Sequence, residues 1–389
     1  MSDLDAGQLV DQARGTTGLD DFGADEWREG LDRLVDSLNT EAALSELGLA
    51  VVSAELAGYL GDRLQITAYR RAHPEIAARD VVPPIVIIVQ GRTGTTILHD
   101  LLAQDPATRV ARTWEVDHPC PPPETATYET DPRIAEVDAT LAGLDIVLPG
   151  FRAMHPMGAR LAQECVRITA SDFRSLIFPT QYRVPSYVQW LIYEADMAPA
   201  YRWHREFLQH LQSRHPAERW VLKSPAHLWC LGDLLDEYPN ALLIQTHRDP
   251  LKIIASLGSL VARLRSLASD DTSIPNAVAD FGQLILDGLD RSVTAREDGT
   301  VPADRIVDVQ FGDFMRDPFA TIGAVYERLG LDLTADADGR MRAFLDANAR
   351  DQHGAHEYTW ADTGLDEREW RARAQRYQEF FDVPSESKL

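Results

Sequence analysis

The sequence predicts an α/β fold of three layers, in which helices flank a central, mainly parallel β-sheet and a helical segment precedes it. Two observations support this prediction. Short runs of β-branched residues alternate with helical patterns from Pro83 onward. Such runs are typical of parallel strands that are covered by helices on both faces. Two of the predicted helices also begin with proline directly after Ser224 or Asp317, a pairing that favours helix starts.

The N-terminal part of the chain has a different character. The stretches DEWREGLDRLVDSL and ELAGYLGDRLQITAYRRA place apolar residues at spacings of three and four, which is the periodicity of an amphipathic helix. We therefore expect a helical segment over residues 1–82 and an α/β domain over residues 83–389. With 389 residues, 44% of them apolar, the chain has ample core material for this arrangement.

Four strand–helix units are predicted within the α/β domain. The strands cover residues 85–89, 220–223, 241–246 and 305–311, and the helices that follow them run over 95–104, up to 237, from 251 and up to about 329. Between residues 112 and 156, a proline-rich stretch, a helix and a loop interrupt the alternation. We interpret this part as a surface excursion near a site or as a plain connector.

Charge and composition exclude several classes of function. The net charge of −23 opposes a nucleic-acid or anionic-membrane partner, because both require a cationic surface. No run of about 18 apolar residues occurs, and the first residues resemble no secretory signal. The three cysteines lack metal-ligand spacing. We expect a cytoplasmic protein with no metal, no nucleic-acid partner and no stable membrane insertion, and the N-terminal helices are compatible with a homodimer contact.

The first predicted strand ends in a glycine-containing turn that leads into a helix, QGRTGTT. Such a junction directs backbone N–H groups and the positive end of a helix dipole at one point, which favours a bound phosphate. An ordinary loop is the alternative that the turn alone leaves open. Only two residues separate Gly91 from Gly94, and Thr95 occupies the place of the lysine in G-x-x-x-x-G-K-[ST]. The turn is therefore too short to wrap a triphosphate in the manner of that motif.

A second junction, in LLIQTHRDPLKIIASLGS, places Arg248 just beyond a predicted strand and Ser256 eight residues later in the next helix. Together these two side chains could hold another phosphate. A solvated arginine and an outward-facing serine are the plainer interpretation of either residue alone.

These two motifs resemble those of the sulfotransferases that use 3′-phosphoadenosine 5′-phosphosulfate (PAPS), and the variant with arginine in the first loop is similar to bacterial members. The resemblance implies a P-loop-like fold with PAPS as co-substrate and no metal. It implies that the 5′-phosphosulfate is bound by Arg92, Thr93, Gly94, Thr95 and Thr96, and the 3′-phosphate by Arg248 and Ser256. A C-terminal basic loop of the family, which also contacts the 3′-phosphate, loosely resembles the segment with Arg350, His353 and Gly354.

The resemblance also implies an in-line transfer of the sulfuryl group to a hydroxyl of a small, partly apolar acceptor. Arg92 and Lys223 are the candidate cations for the leaving phosphate. His227, four residues after Lys223, is the first candidate for the general base, because an imidazole titrates near neutral pH. Glu164 is its rival, and we expect it in the middle of a helix, beside Cys165 and Val166. We rank His227 slightly ahead.

Two other functions compete with this hypothesis. A P-loop kinase or nucleotide hydrolase would require magnesium, and the first loop has no lysine at the spacing that such enzymes use. A non-catalytic nucleotide-binding protein would need no general base, so the set of Arg92, Lys223 and His227 argues against it.

Overall fold

The computed structural model describes residues 3–88, 90–149, 151, 156–348 and 358–386. Its centre is one sheet of five strands in the order β2–β3–β1–β4–β5, and every pairing in it is parallel. The strands are β1 (Pro84–Ile88), β2 (Thr108–Arg109), β3 (Arg219–Ser224), β4 (Leu242–His247) and β5 (Ile306–Gln310).

Helices precede the sheet and connect its strands. The N-terminal part contains α1 (Ala6–Thr17), α2 (Trp27–Glu41) and α3 (Glu46–Ala72). Between β1 and β3 lie α4 (Thr95–Leu102), α5 (Thr113–Asp117), α6 (Pro132–Val147), α7 (Cys165–Thr169), α8 (Ile177–Gln181), α9 (Pro185–Tyr193) and α10 (Ala198–Gln212). The remaining helices are α11 (Leu231–Glu237), α12 (Pro250–Arg265), α13 (Ile274–Glu297), α14 (Phe311–Arg316), α15 (Pro318–Arg328), α16 (Ala335–Ala347) and α17 (Glu367–Phe380). Short 3-10 turns cover Pro74–Ile76, Thr125–Thr127, Ala170–Asp172, Pro225–Trp229 and Trp360–Thr363.

The two faces of the sheet pack against different helix layers. Alternate residues of a strand point to opposite faces, so Ile85 and Ile87 join one apolar cluster while Val86 and Ile88 join the other. All four side chains are at most 2% exposed. This double coverage explains why the strand is apolar at every position, and it confirms the predicted three-layer α/β fold.

The N-terminal helices pack closely against later parts of the chain. A Cβ atom added at Gly48 of α3 would lie 2.0 Å from the carbonyl oxygen of Ala268, and one added at Gly30 of α2 would lie 2.5 Å from that of Phe173. Residues of both parts also share one apolar cluster. The helical character of the N-terminal segment is confirmed, whereas its division from the α/β domain at residues 82 and 83 stays a prediction.

The predicted strand–helix units correspond to β1, β3, β4 and β5 with small shifts at their ends. The Ser224 side chain accepts a hydrogen bond from the N–H of Ala226, and that of Asp317 accepts one from Ala320, so both act as predicted helix caps. The strand β2 was not predicted, because two residues carry no periodicity. Among the described residues, no helix has both the length and the hydropathy needed to cross a membrane.

Candidate functional site: a cationic crevice at the strand ends

The candidate site lies where the strand order of the sheet reverses. From the central strand β1, the chain continues to β2 and β3 on one side and later to β4 and β5 on the other. Ile88 at the end of β1 is in register with Ser224 of β3 and with Gln245 of β4. The loops that follow these three strands therefore leave the sheet at the same edge. In parallel α/β sheets, the crevice at such a reversal is the usual place for a ligand.

The turn after β1 has an unusual backbone conformation. Arg92 has a φ of 73° and Gly94 a φ of 81°, both in the left-handed region. Non-glycine residues rarely adopt this conformation, and those that do are concentrated at functional sites. The Thr93 hydroxyl fixes the turn, because it donates to the carbonyl of Gln90 and lies 2.6 Å from the hydroxyl of Thr246 in β4.

The structure brings the two predicted phosphate-binding motifs into direct contact. Arg92 Nε donates to Ser256 Oγ over 2.9 Å, and Arg248 Nη1 donates to the carbonyl oxygen of Arg92 over 2.8 Å. Burial lowers the pKa of the Arg92 guanidinium, and the nearby Arg248 charge acts in the same direction. Two arginines and a serine hydroxyl are thus gathered in one crevice of a strongly acidic protein.

Arg248 is held on two further sides. Its guanidinium lies over the ring of Phe311, with 4.1 Å between Cζ and the ring centroid. Nε and Nη2 donate to the two carboxylate oxygens of Glu386, over 2.7 Å and 3.1 Å. Glu386 belongs to the C-terminal tail, and sequence reasoning did not find it, because 138 residues separate it from Arg248.

Lys223 joins the turn after β1 to a carboxylate on another loop. Its side chain is only 3% exposed; Nζ lies 2.8 Å from Glu164 Oε1 and donates to Thr96 Oγ1 over 3.5 Å. Glu164, with 23% of its side chain exposed, precedes α7 as its N-cap residue. The mid-helix position expected for Glu164 is therefore wrong, because the helix begins only at Cys165.

His227 lies on the 3-10 turn that follows Ser224. Its Nδ1 is 2.7 Å from the hydroxyl of Tyr201, and only 2% of the residue is exposed. Burial lowers the pKa of the imidazole to about 3. Its Nε2 is buried without a hydrogen-bond partner within the described part of the chain.

Two carboxylates that sequence analysis missed support the site. Asp100 in α4 is 7% exposed and accepts a hydrogen bond from the N–H of Ala162, in the loop that carries Glu164. Burial raises the pKa of Asp100 to about 6, against the opposing effect of Lys223. Asp249 follows Arg248 and pairs with Arg371 of α17. The Asp249-Pro250 pair indicates a helix cap in the sequence. The contact between Asp249 and α17 could not be predicted from the sequence.

Three predicted donor-binding residues, Arg350, His353 and Gly354, lie outside the described residues. Within the residues that are described, no group of three or more histidine, cysteine, aspartate or glutamate side chains is arranged to hold a metal ion.

The fold and the crevice define a class of protein, the α/β proteins that present a P-loop-like turn at the ends of parallel strands. Residues 83–336 match the family model described as the Sulfotransferase family. The chain therefore belongs to the sulfotransferase family, and it is an enzyme that transfers sulfuryl groups. The family prediction made from the two motifs is confirmed, whereas the role of arginine in the first loop stays a prediction.

Two solved structures are similar over nearly the whole chain. Sulfotransferase STF9 from Mycobacterium avium is 33% identical, with a TM-score of 0.90 and 100% of both chains covered. Sulfotransferase STF1 from Mycobacterium tuberculosis H37Rv is 32% identical, with a TM-score of 0.85, 96% of this chain and 98% of that chain covered. The chain is also 24% identical over 314 residues to omega-hydroxy-beta-dihydromenaquinone-9 sulfotransferase Stf3 of Mycobacterium bovis, covering 76% of this chain and 75% of the relative.

Proposed function

We propose that the enzyme transfers the sulfuryl group of PAPS to a hydroxyl of a small, partly apolar acceptor. The observation that carries this proposal is the contact between the two motifs, in which Arg92 Nε reaches Ser256 Oγ and Arg248 reaches the Arg92 carbonyl. A donor with a phosphate at each end of its ribose would span two such adjacent cationic positions. Two separate crevices would require two ligands.

In the proposed reaction, the acceptor oxygen forms a bond to sulfur while the bond between sulfur and the bridging oxygen of the 5′-phosphate breaks. The electron pair stays on that oxygen, and adenosine 3′,5′-bisphosphate leaves. Lys223 and Arg92 stabilise the charge that develops there. Because the Lys223 side chain is only 3% exposed, its charge acts where little water screens it.

We assign the general base to Glu164, ahead of His227. The Glu164 carboxylate contacts Lys223, whose ammonium also donates to Thr96 of the first loop, so the base and the leaving group share one cation. The Glu164 side chain is also partly exposed, at 23%, whereas His227 is 2% exposed and its Nδ1 lies against the Tyr201 hydroxyl. A base must come within hydrogen-bonding reach of the proton that it accepts.

The acceptor class is supported by a relative. The Mycobacterium bovis protein is named for omega-hydroxy-beta-dihydromenaquinone-9, an omega-hydroxy compound. We propose a hydroxyl on a partly apolar small molecule as the acceptor of this enzyme.

Calorimetric titration tests the donor. We expect adenosine 3′,5′-bisphosphate to bind at least about tenfold more tightly than adenosine 5′-monophosphate, since a charge-assisted contact contributes on the order of 1.5 kcal/mol or more. Ser256→Ala should reduce this preference. Ser266→Ala is the matched control, because that hydroxyl donates to the Arg263 carbonyl at the other end of α12. Equal affinity for both nucleotides, together with magnesium-dependent hydrolysis of ATP, would favour the kinase or hydrolase hypothesis instead.

A further inference from the structure

The C-terminal tail places a carboxylate on the arginine that the proposed function assigns to the 3′-phosphate. Glu386 accepts two hydrogen bonds from the Arg248 guanidinium, over 2.7 Å and 3.1 Å, in the forked geometry that a phosphate would also use. The pair is partly shielded, with 15% of the arginine side chain and 32% of the glutamate side chain exposed.

The position of this carboxylate is fixed by the backbone as well as by its charge. The N–H of Glu386 donates to Asp249 Oδ2 over 2.7 Å, and Asp249 is itself paired with Arg371 of α17. The tail therefore docks on the residue next to Arg248 in the chain. Contacts with the adjacent residues Arg248 and Asp249 therefore fix the position of Glu386.

A carboxylate and a phosphate cannot both use the same two N–H groups of Arg248. Their charges have the same sign, so at hydrogen-bonding distance from one guanidinium they repel each other. A 3′-phosphate that uses these two N–H groups therefore displaces Glu386, whereas a ligand without this phosphate leaves the pair intact.

Only a short piece of chain has to move for this displacement. Phe381 and Val383 are buried, with 9% and 5% exposure, and the Phe381 carbonyl accepts a hydrogen bond from Gln310. These contacts hold the tail to the sheet on the N-terminal side of residues 384–386. After a ligand leaves, the carboxylate stays close to Arg248 at a high effective concentration.

We propose that the Glu386 carboxylate competes with the 3′-phosphate of the ligand for Arg248. The carboxylate leaves Arg248 when the donor binds and returns to it as the bisphosphate product departs. This inference rests on the proposed function. Its consequence is that Glu386 weakens the binding of donor and product by the same factor.

The test compares nucleotide affinities of the full chain and of Glu386→Gln, which keeps the size of the side chain and removes its charge. We expect the variant to bind adenosine 3′,5′-bisphosphate about twofold to tenfold more tightly, the range for a partly exposed ion pair of good geometry. Its affinity for adenosine 5′-monophosphate should stay unchanged. In steady-state assays, the product inhibition constant should fall by the same factor.

Asp382→Asn is the matched control, because it removes one negative charge from an exposed position of the same tail. The proposal is overturned if Glu386→Gln leaves the affinity for the bisphosphate unchanged, or if Asp382→Asn tightens it equally. It is also overturned if the affinity for the monophosphate rises in parallel. By contrast, an unmodified enzyme that does not distinguish the two nucleotides would refute the proposed function itself.

Discussion

The buried ammonium of Lys223 contacts two groups with different proposed tasks, the Glu164 carboxylate and the Thr96 hydroxyl. A lysine that is 3% exposed is stabilised by such partners, since a lone buried charge is costly. If Glu164 is the base, protonating it during the reaction weakens its attraction for Lys223. The ammonium is then more available to the leaving phosphate.

Substitution of the two candidate bases separates their roles. Glu164→Gln keeps the shape of the side chain but accepts no proton, so we expect kcat to fall by about 10²- to 10⁴-fold. The affinity for adenosine 3′,5′-bisphosphate should hardly change. His227→Asn should lower kcat by less than about tenfold, because this side chain is buried against Tyr201. Steady-state kinetics and calorimetric titration measure both effects.

His204 provides the matched control for His227. It is equally buried, and its Nδ1 lies 2.7 Å from the hydroxyl of Tyr238, as that of His227 does from Tyr201. His204→Asn and His227→Asn should therefore lose similar stability and keep similar turnover. A loss of turnover in the His227 variant alone, with Glu164→Gln still active, would reverse our assignment of the base.

The turn between β1 and α4 is the element to which the proposed function assigns donor binding. Its two glycines differ in the conformation and space that they require. Gly94 has a φ of 81°, and an added Cβ would lie 3.2 Å from the Phe311 ring. An added Cβ at Gly91 would meet only Leu257, at the ordinary distance of 3.8 Å. The sequence alone shows two glycines, but only the backbone conformation distinguishes them.

Gly94→Ala should therefore destabilise the fold by about 1 to 2 kcal/mol, the cost of a left-handed conformation for a residue with a Cβ atom. It should also weaken binding of the bisphosphate, because the turn has to shift. Gly91→Ala should change the free energy of unfolding by less than about 1 kcal/mol. Urea unfolding and nucleotide titration measure the two effects, and equal behaviour of the two variants would contradict this account of the turn.

Across the whole molecule, burial shifts the pKa values of many groups in ways that couple stability to pH. Six described histidines have lowered values: His99, His204 and His227 near 3, His210 and His215 near 4, and His247. Four aspartates have raised values, Asp62, Asp100, Asp172 and Asp233. Desolvation by burial is the largest cause in each case.

The lowered histidine values predict that the protein is less stable at pH 5.5 than at pH 7.5. An unfolded imidazole takes up a proton as the pH falls below its ordinary pKa near 6.5, whereas the five folded ones with values near 3 or 4 stay neutral until the pH reaches that range. Protons therefore favour the unfolded state by up to about 1.4 kcal/mol per pH unit for each histidine. The four aspartates act in the opposite direction, because their folded carboxyls keep protons to higher pH than unfolded ones do. A urea midpoint at pH 5.5 that equals or exceeds the midpoint at pH 7.5 would contradict this prediction.

The sequence by itself determined the parallel α/β architecture, the four long strands and the two motifs that we predict to bind phosphate. Each of these features depends on residues that are close together in the chain: apolar β-branched runs, Ser-Pro and Asp-Pro helix starts, and a short glycine turn after a strand. The strand β2 and the N-cap position of Glu164 could not be predicted, because two residues carry no periodicity and a helix boundary depends on packing.

Only the tertiary structure decided what the crevice contains. The pairing of Lys223 with Glu164, the burial of His227 against Tyr201 and the contact of Arg248 with Glu386 join residues that lie far apart in the chain. Sequence patterns predict one strand or one helix at a time. These contacts form at the edge of the sheet where the ends of the parallel strands meet. The carboxylate of the C-terminal tail meets the arginine after β4 because the tail that follows α17 is bound by Asp249 and by Gln310 of β5.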